Sequence, residues 1–266
     1  VAENTDQVSD EVLMEDGDDY KTLNDKILNE TSNTFKLDKN YTFNADTDSD
    51  YAKGINITKD HFTVDGQGHA IDAKNQSRIF QIQGVNATLK NIKFINGNAH
   101  TTNFNKYGGA VYAQGSVNII NCTFINNIAD YGGAVYISEG KIIDSTFIQN
   151  NATTEDGTAI YVGTMCKVYL SNNTVNTEKP EIYIAYSGNI SSQVTVTIMN
   201  NENVTKHLNE KILVSVQFCD DMGNLIQVSD FDLYVNDTKI NYIYNKQTAK
   251  YEGNFTTDKV GKYIIK

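Results

Sequence analysis

Along the middle of the chain, apolar and polar residues alternate over short stretches such as Ile120, Cys122 and Phe124, and each stretch is broken by Asn, Asp or Gly. A period of two bounded by turn residues predicts short strands, not helices. The stretches recur. Tyr107-Gly-Gly-Ala-Val-Tyr112 returns as Tyr131-Gly-Gly-Ala-Val-Tyr136 after 24 residues, and Gly157-Thr-Ala-Ile-Tyr161 repeats its core after a further 25 or so. A second motif runs in phase: Ile119-Ile-Asn-Cys-Thr-Phe-Ile-Asn-Asn127, then Ile142-Ile-Asp-Ser-Thr-Phe-Ile-Gln-Asn150, and more loosely Tyr169-Leu-Ser-Asn-Asn-Thr-Val175. Leu89 to Asn96 reads as the same unit one turn earlier.

A unit of ~24 residues is too short to bury its own apolar face, so successive units must stack. Equivalent strands then pair in parallel at ~4.8 Å without crossover helices, which makes a β-helix. In that coil Phe124 and Phe147 stack inside, and Asn127 and Asn150 fall at the corners. The pairs Gly108-Gly109 and Gly132-Gly133 mark sharp turns into a buried strand, where a side chain would clash or φ must be positive. Cys122 occupies the place of Ser145 in the next unit, a small inward position.

After Ser191 the repeat gives way to plain alternation: Val194, Val196 and Ile198; Ile212, Val214, Val216 and Phe218; Phe231, Leu233 and Val235; Tyr251, Gly253 and Phe255; Tyr263 and Ile265. Turns at Asp221 to Asn224 and Asn236-Asp237 make this an antiparallel meander, of a size that suits an immunoglobulin-like sandwich. Before the repeat, an acidic stretch reads as a solvated leader, and Leu23, Ile27 and Leu28 are spaced for a short helix that caps the solenoid. The expected organisation is a leader over residues 1–19, a right-handed parallel β-helix over 20–191 and an Ig-like sandwich over 192–266.

Charge narrows the function. The net charge is −11, the sequence pI is near 4.8 and Arg78 is the single arginine, which excludes a phosphate-binding surface for nucleic acid. No apolar run approaches the ~18–20 residues of a membrane span, so the chain is not expected to cross one. With no charged-then-apolar signal segment either, it reads as a mature form or a segment of a longer protein. Cys122, Cys166 and Cys219 are too widely spaced for a zinc site or a disulfide framework. Twelve Asn-x-Ser/Thr sequons, from Asn29 to Asn254, are consistent with a glycosylated exterior and also with an Asn- and Thr-rich composition.

The Gly-Gly-Ala-Val motif alternating with Phe-x-x-Asn, at Phe124 to Asn127 and Phe147 to Asn150, resembles the repeats of chlamydial polymorphic outer-membrane proteins. The segment from His61 to Asp72, the lone arginine and the proline-poor, Asn-, Thr- and Tyr-rich style look like the adhesin-like proteins of methanogenic archaea. Val260 to Ile265 resembles the last strand of bacterial Ig-like repeats. The resemblance implies an extracellular, cell-surface protein that adheres to a glycan or protein of another cell, and it carries no ligand-contact residues to transfer.

Candidate chemistry is sparse. Asp65 to His69 resembles an early-coil motif of pectate lyases, but the arginine and calcium motifs of those enzymes are missing, and Asp65-Gly66 also reads as a plain turn. Asp65, Asp72, Asp130 and Asp144 are scattered at turns, and His61, His69, His100 and His207 show no metal-binding spacing. No catalytic residue and no cofactor are assigned. Asp46, Asp48 and Asp50 alternate as calcium-loop carboxylates do, without the glycine and glutamate of an EF-hand. Tyr107 and Tyr131, each before a Gly-Gly pair, form an expected exposed ladder, with Tyr112 and Tyr136 inside or at the edge. The reading is therefore a non-catalytic adhesin-like protein; a carbohydrate-active lyase or hydrolase and a structural stalk are its alternatives.

Overall fold

A computed structural model describes residues 17–100, 105–176, 181–185, 189–190, 195–199, 209, 211–256 and 264–265. Val194, Tyr263 and the leader before residue 17 lie outside them. The fold is all-β, with about six parallel turns stacked into a solenoid and, among the described residues, one short α-helix.

Each turn contributes to three faces. The first is a six-stranded parallel sheet of Tyr41–Thr42, Ala70–Asp72, Lys93–Ile95, Thr123–Ile125, Thr146–Ile148 and Thr174–Asn176. Its central positions, Ile71, Phe94, Phe124, Phe147 and Val175, lie directly over one another. Phe124 is fully buried between Phe94 at 4.8 Å and Phe147 at 4.7 Å, the rings tilted by 12° and 3°. The second face aligns Val64, Leu89, Ile119, Ile142 and Leu170, all buried. The third runs from Ile55–Ile57 through Phe80–Ile82 to Ile182–Ile184. Long strands, Val111–Ile120, Val135–Ile143 and Ile160–Ser171, bend through the third and second faces in turn.

The turns are not of equal length. Phe94 to Phe124 spans 30 residues and Phe124 to Phe147 spans 23, yet both pairs are in register. The extra length is taken up between strands, where loop closure is cheap, so the sheets keep a constant pairing.

Corners are made by single residues in the left-handed region. Asn91, Asn121, Asp144 and Asn172 have φ between 51° and 56°, and their side chains bond from coil to coil, as in Asn121 Nδ2 to Asn91 Oδ1 at 2.8 Å. Asn and Asp tolerate this conformation because their short polar side chains bond locally. Asn127 and Asn150 depart from the expected corner placement: the corner residue is Asn126, and Asn127 and Asn150 turn inward and are buried. The Asn127 amide donates to Asn150 Oδ1 (2.9 Å) and Phe94 O (3.2 Å) and accepts from Gly97 N (2.7 Å), because a buried amide must satisfy both ends.

The paired glycines act as expected. Gly108 and Gly132 have φ of +60° and +61°, and a Cβ on Gly133 would lie 2.3 Å from Thr158 O of the next coil. At the first turn, the helix Tyr20–Asn29 covers the solenoid end with Tyr20, Leu23 and Ile27, while Leu28 stays outside.

Beyond residue 191 the described residues form a small antiparallel sheet of Thr195–Met199, Lys211–Cys219, Tyr242–Asn245 and Lys250–Thr256. Val214, Val216, Leu233, Val235, Ile240 and Tyr251 make its own core. Leu225–Val228 pairs in parallel with Ile182–Ile184 and antiparallel with Lys211–Cys219, so the third face runs on into this sheet. That strand and Tyr242–Asn245 escape the sequence pattern, since neither Leu225-Ile226 nor Tyr242-Ile243-Tyr244 alternates cleanly.

Candidate functional site

On the third face the alternation inside each strand places Val111, Ala113, Val135, Ile137, Ile160 and Val162 inward. Tyr112, Tyr136, Tyr161 and Tyr183 therefore occupy one outward column, continued downward by Gln81 and Asn56 and upward by Gln227. Tyr112 is buried as expected, packed against the Tyr107 ring and Arg78 although it shares the outward parity, whereas Tyr136 is half-buried on the outer side. In Gly-Gly-Ala-Val-Tyr every residue could face a core, so the pattern does not reveal its parity; the smaller Val and Ala go in.

Tyr107 and Tyr131 join this column from the neighbouring corner. They pair in parallel, stack at 4.9 Å, and Tyr107 also lies 5.0 Å from Tyr136. Within the main column Tyr136 and Tyr161 are 5.7 Å apart and Tyr161 and Tyr183 4.9 Å, tilted by 18° and 23°. Six rings thus form one strip along the solenoid axis. Tyr107 and Tyr131, expected as an exposed pair, are half-buried because the other rings pack against them. Burial, and then neighbouring Tyr183, hold the Tyr161 phenol well above its ordinary value; burial, then Asp156, raises that of Tyr183. Both are hydrogen-bond donors at any physiological pH.

Arg78 anchors the lower end, a role nothing in the sequence announced. Its guanidinium is buried and donates to the backbone oxygens of Gly108 (3.0 Å), Lys53 (3.1 Å), Asn105 (2.6 Å) and Tyr107 (2.9 Å), and it sits 5.0 Å from the Tyr112 ring. Burial lowers its pKa to about 10, which leaves it charged. Five fixed donors match this set of carbonyls as a lysine could not, and they lock the segment that carries Tyr107.

The scattered carboxylates stay apart. Asp65 accepts from Asn91, Gln67 and Lys90, and Asp72 from Asn96 and Lys74, each at its own turn. Burial pushes Asp65 up, but those bonds outweigh it and hold the carboxyl below its usual range. Asp144 is a left-handed corner bonded by Asn172. Asp130 beside the strip is held by His100, Lys106 and Thr153, which outweigh its burial and keep it ionised.

Nor do the three acidic residues of the 46–50 loop converge. Asp48 is buried and accepts from the N–H groups of Tyr20 (2.9 Å), Lys21 (2.9 Å) and Asn44 (2.8 Å), closing the helix N-terminus. Asp46 and Asp50 point to solvent. No cluster of three or more His, Cys, Asp or Glu suited to a metal occurs among the described residues. A recess of about 460 Å³ at the corner between the second and first faces is lined by Gln67, Asn91, Lys93, Asn121 and Thr123 and has no carboxylate.

No protein-family model, curated protein or solved structure matches this chain. No helix among the described residues is long and apolar enough to cross a membrane.

Cys122 is buried where its alignment with Ser145 predicts, its N–H bonded to Ser145 Oγ at 3.2 Å. Burial pushes the thiol up to about 12. At pH 8 only ~1 in 10,000 molecules would carry the thiolate, so iodoacetamide should label Cys122 in unfolded chain and leave it unlabelled over hours in folded chain. Peptide mass mapping checks this; rapid native labelling would refute the burial.

Proposed function

We propose that this chain is a non-catalytic, adhesin-like binding module displayed outside the cell. The coil would be a right-handed, pectate-lyase-like parallel β-helix presenting the tyrosine strip, and the C-terminal sheet would belong to an Ig-like spacer. Its partner would be a glycan or protein on the surface of another cell.

One observation carries the reading: six tyrosines from four coils pack into one strip outside the hydrophobic core, five of them half-buried and Tyr112 buried beneath Tyr107. Tyrosine favours contact surfaces because it offers large area at low entropy cost together with a polar tip. The acidic balance keeps such a surface soluble without opposing short-range recognition.

The test is a screen of the purified chain against arrayed glycans and whole microbial cells, with released sugar assayed in the same wells. Saturable binding without product, weakened at least about tenfold in Tyr136→Ala/Tyr161→Ala, is the expected result. Released reducing or unsaturated ends would favour the lyase or hydrolase reading. Binding that ignores the double substitution would remove the strip from the argument, and no binding at all would leave a structural stalk.

A further inference from the structure

Granting the strip as the binding face, its period and ring orientation narrow the ligand. We infer that it takes a linear, neutral, extended pyranose chain laid along the solenoid axis, one sugar to a coil.

Three observations point there. The first is which part of each ring is on offer. Tyr136, Tyr161 and Tyr183 stack on one another along the axis with tilts of 18° and 23°, as do Tyr107 and Tyr131 with 26°. Tyr161 has a tyrosine on each side in its own column. Its faces are therefore occupied, and a ligand meets ring edges and phenolic ends instead of a platform for flat stacking. Rows of hydroxyl groups, continued by the amides of Gln81 and Asn56 in the same column, suit a partner that is itself covered with hydroxyls.

The second is the repeat. Equivalent groups on successive coils recur at the strand spacing, ~4.8 Å. An extended peptide advances ~3.3 Å per residue and a polyproline-type one ~3.1 Å, so either loses register with the column within one coil. A pyranose ring with its bridging oxygen, linked so that the chain runs straight, advances by roughly one coil, ~5 Å, and stays far closer to register over a few coils than either peptide. Many weak, equivalent contacts then add along one rigid face.

The third is charge. Asp156 follows Tyr131 in the corner column, and Asp130 lies beside it. The basic groups next to Asp130 are engaged with it: His100 Nδ1 bonds one carboxylate oxygen and Lys106 Nζ lies 3.1 Å from the other. A polyuronate or sulfated chain would bring like charge to this flank, so the strip selects against the acidic polymers that a pectate-lyase-like coil would cleave.

The experiment is titration calorimetry of the full chain with β-1,4-linked glucose oligomers from the disaccharide to the octasaccharide. Curved α-1,4-linked glucose oligomers and oligogalacturonates serve as the comparison series. Tyr136, Tyr161 and Tyr183, the column rings that keep some exposure, set the expectation: affinity rises with each sugar up to about three and then levels. The β-linked oligomers should bind at least about fivefold tighter than either comparison series. Tyr136→Phe/Tyr161→Phe keeps the rings and their packing but removes two hydroxyls, and should weaken binding about five- to fifty-fold with an unchanged melting temperature.

Affinity independent of length, equal or tighter binding of galacturonate, wild-type binding by the Phe pair, or no binding of any neutral oligomer each overturns the assignment. Failure of the ligand class is separable from failure of the strip. If the oligomers fail but the Ala pair still abolishes capture of an arrayed glycan or a cell, the strip stands and only its ligand is wrong.

Discussion

Phe124→Ala is expected to destabilise the solenoid by ~3–5 kcal/mol, the range for emptying a fully buried aromatic position. Phe124 is the middle ring of a three-ring stack, with Phe94 below and Phe147 above, and none of its surface reaches solvent. Removing it opens a void bounded by rings on strands that are hydrogen-bonded in register and cannot collapse together without breaking that register. Differential scanning calorimetry should show a fall in Tm of about 10 °C. Phe124→Leu, which refills most of the volume, should recover more than half of the loss. A loss below ~1 kcal/mol for the alanine variant would mean that the stack does not hold the coils together.

Asn127→Leu comes next in size. The substitution is close to isosteric and more hydrophobic, so a burial argument alone would call it neutral. Yet Asn127 Oδ1 accepts from Gly97 N, and its amide nitrogen reaches Asn150 Oδ1 and Phe94 O on the coils to either side. Leaving a buried N–H without an acceptor costs ~1–3 kcal/mol and losing the bridge to Asn150 adds ~1 kcal/mol, so ~2–4 kcal/mol is expected. Urea titration measures it. Amide exchange adds a local readout, because Gly97 should lose protection beyond the global change. Neutral behaviour in both measurements would show that the inward asparagines are spectators.

Some features are legible in the sequence alone. The in-phase repeats place Phe124 over Phe147 and Cys122 over Ser145, since an alternating strand has one inward parity wherever its polar residues are unambiguous. The helix over the first coil was legible from Leu23 and Ile27, and the glycine corners from the need for positive φ. The tyrosines themselves were visible one at a time, and Tyr107 and Tyr131 could be singled out as a pair.

Their assembly was not. Tyr112 and Tyr136 lie in runs where small apolar residues flank them on both sides, so sequence alternation leaves the parity open and only packing chooses the smaller side chains for the interior. Arg78 binds carbonyls 25 to 30 residues away, and Asp48 reaches back 28 residues to the helix; backbone partners have no side-chain signature for a motif to contain. The strand Leu225–Val228 joins the third face across more than 40 residues of chain. The sequence by itself determined that units repeat, stack in parallel and bury one column of aromatic rings, because those depend on local periodicity. Only the tertiary structure decided that a second aromatic column stands outside, and what anchors it, because that depends on contacts between coils which local periodicity does not encode.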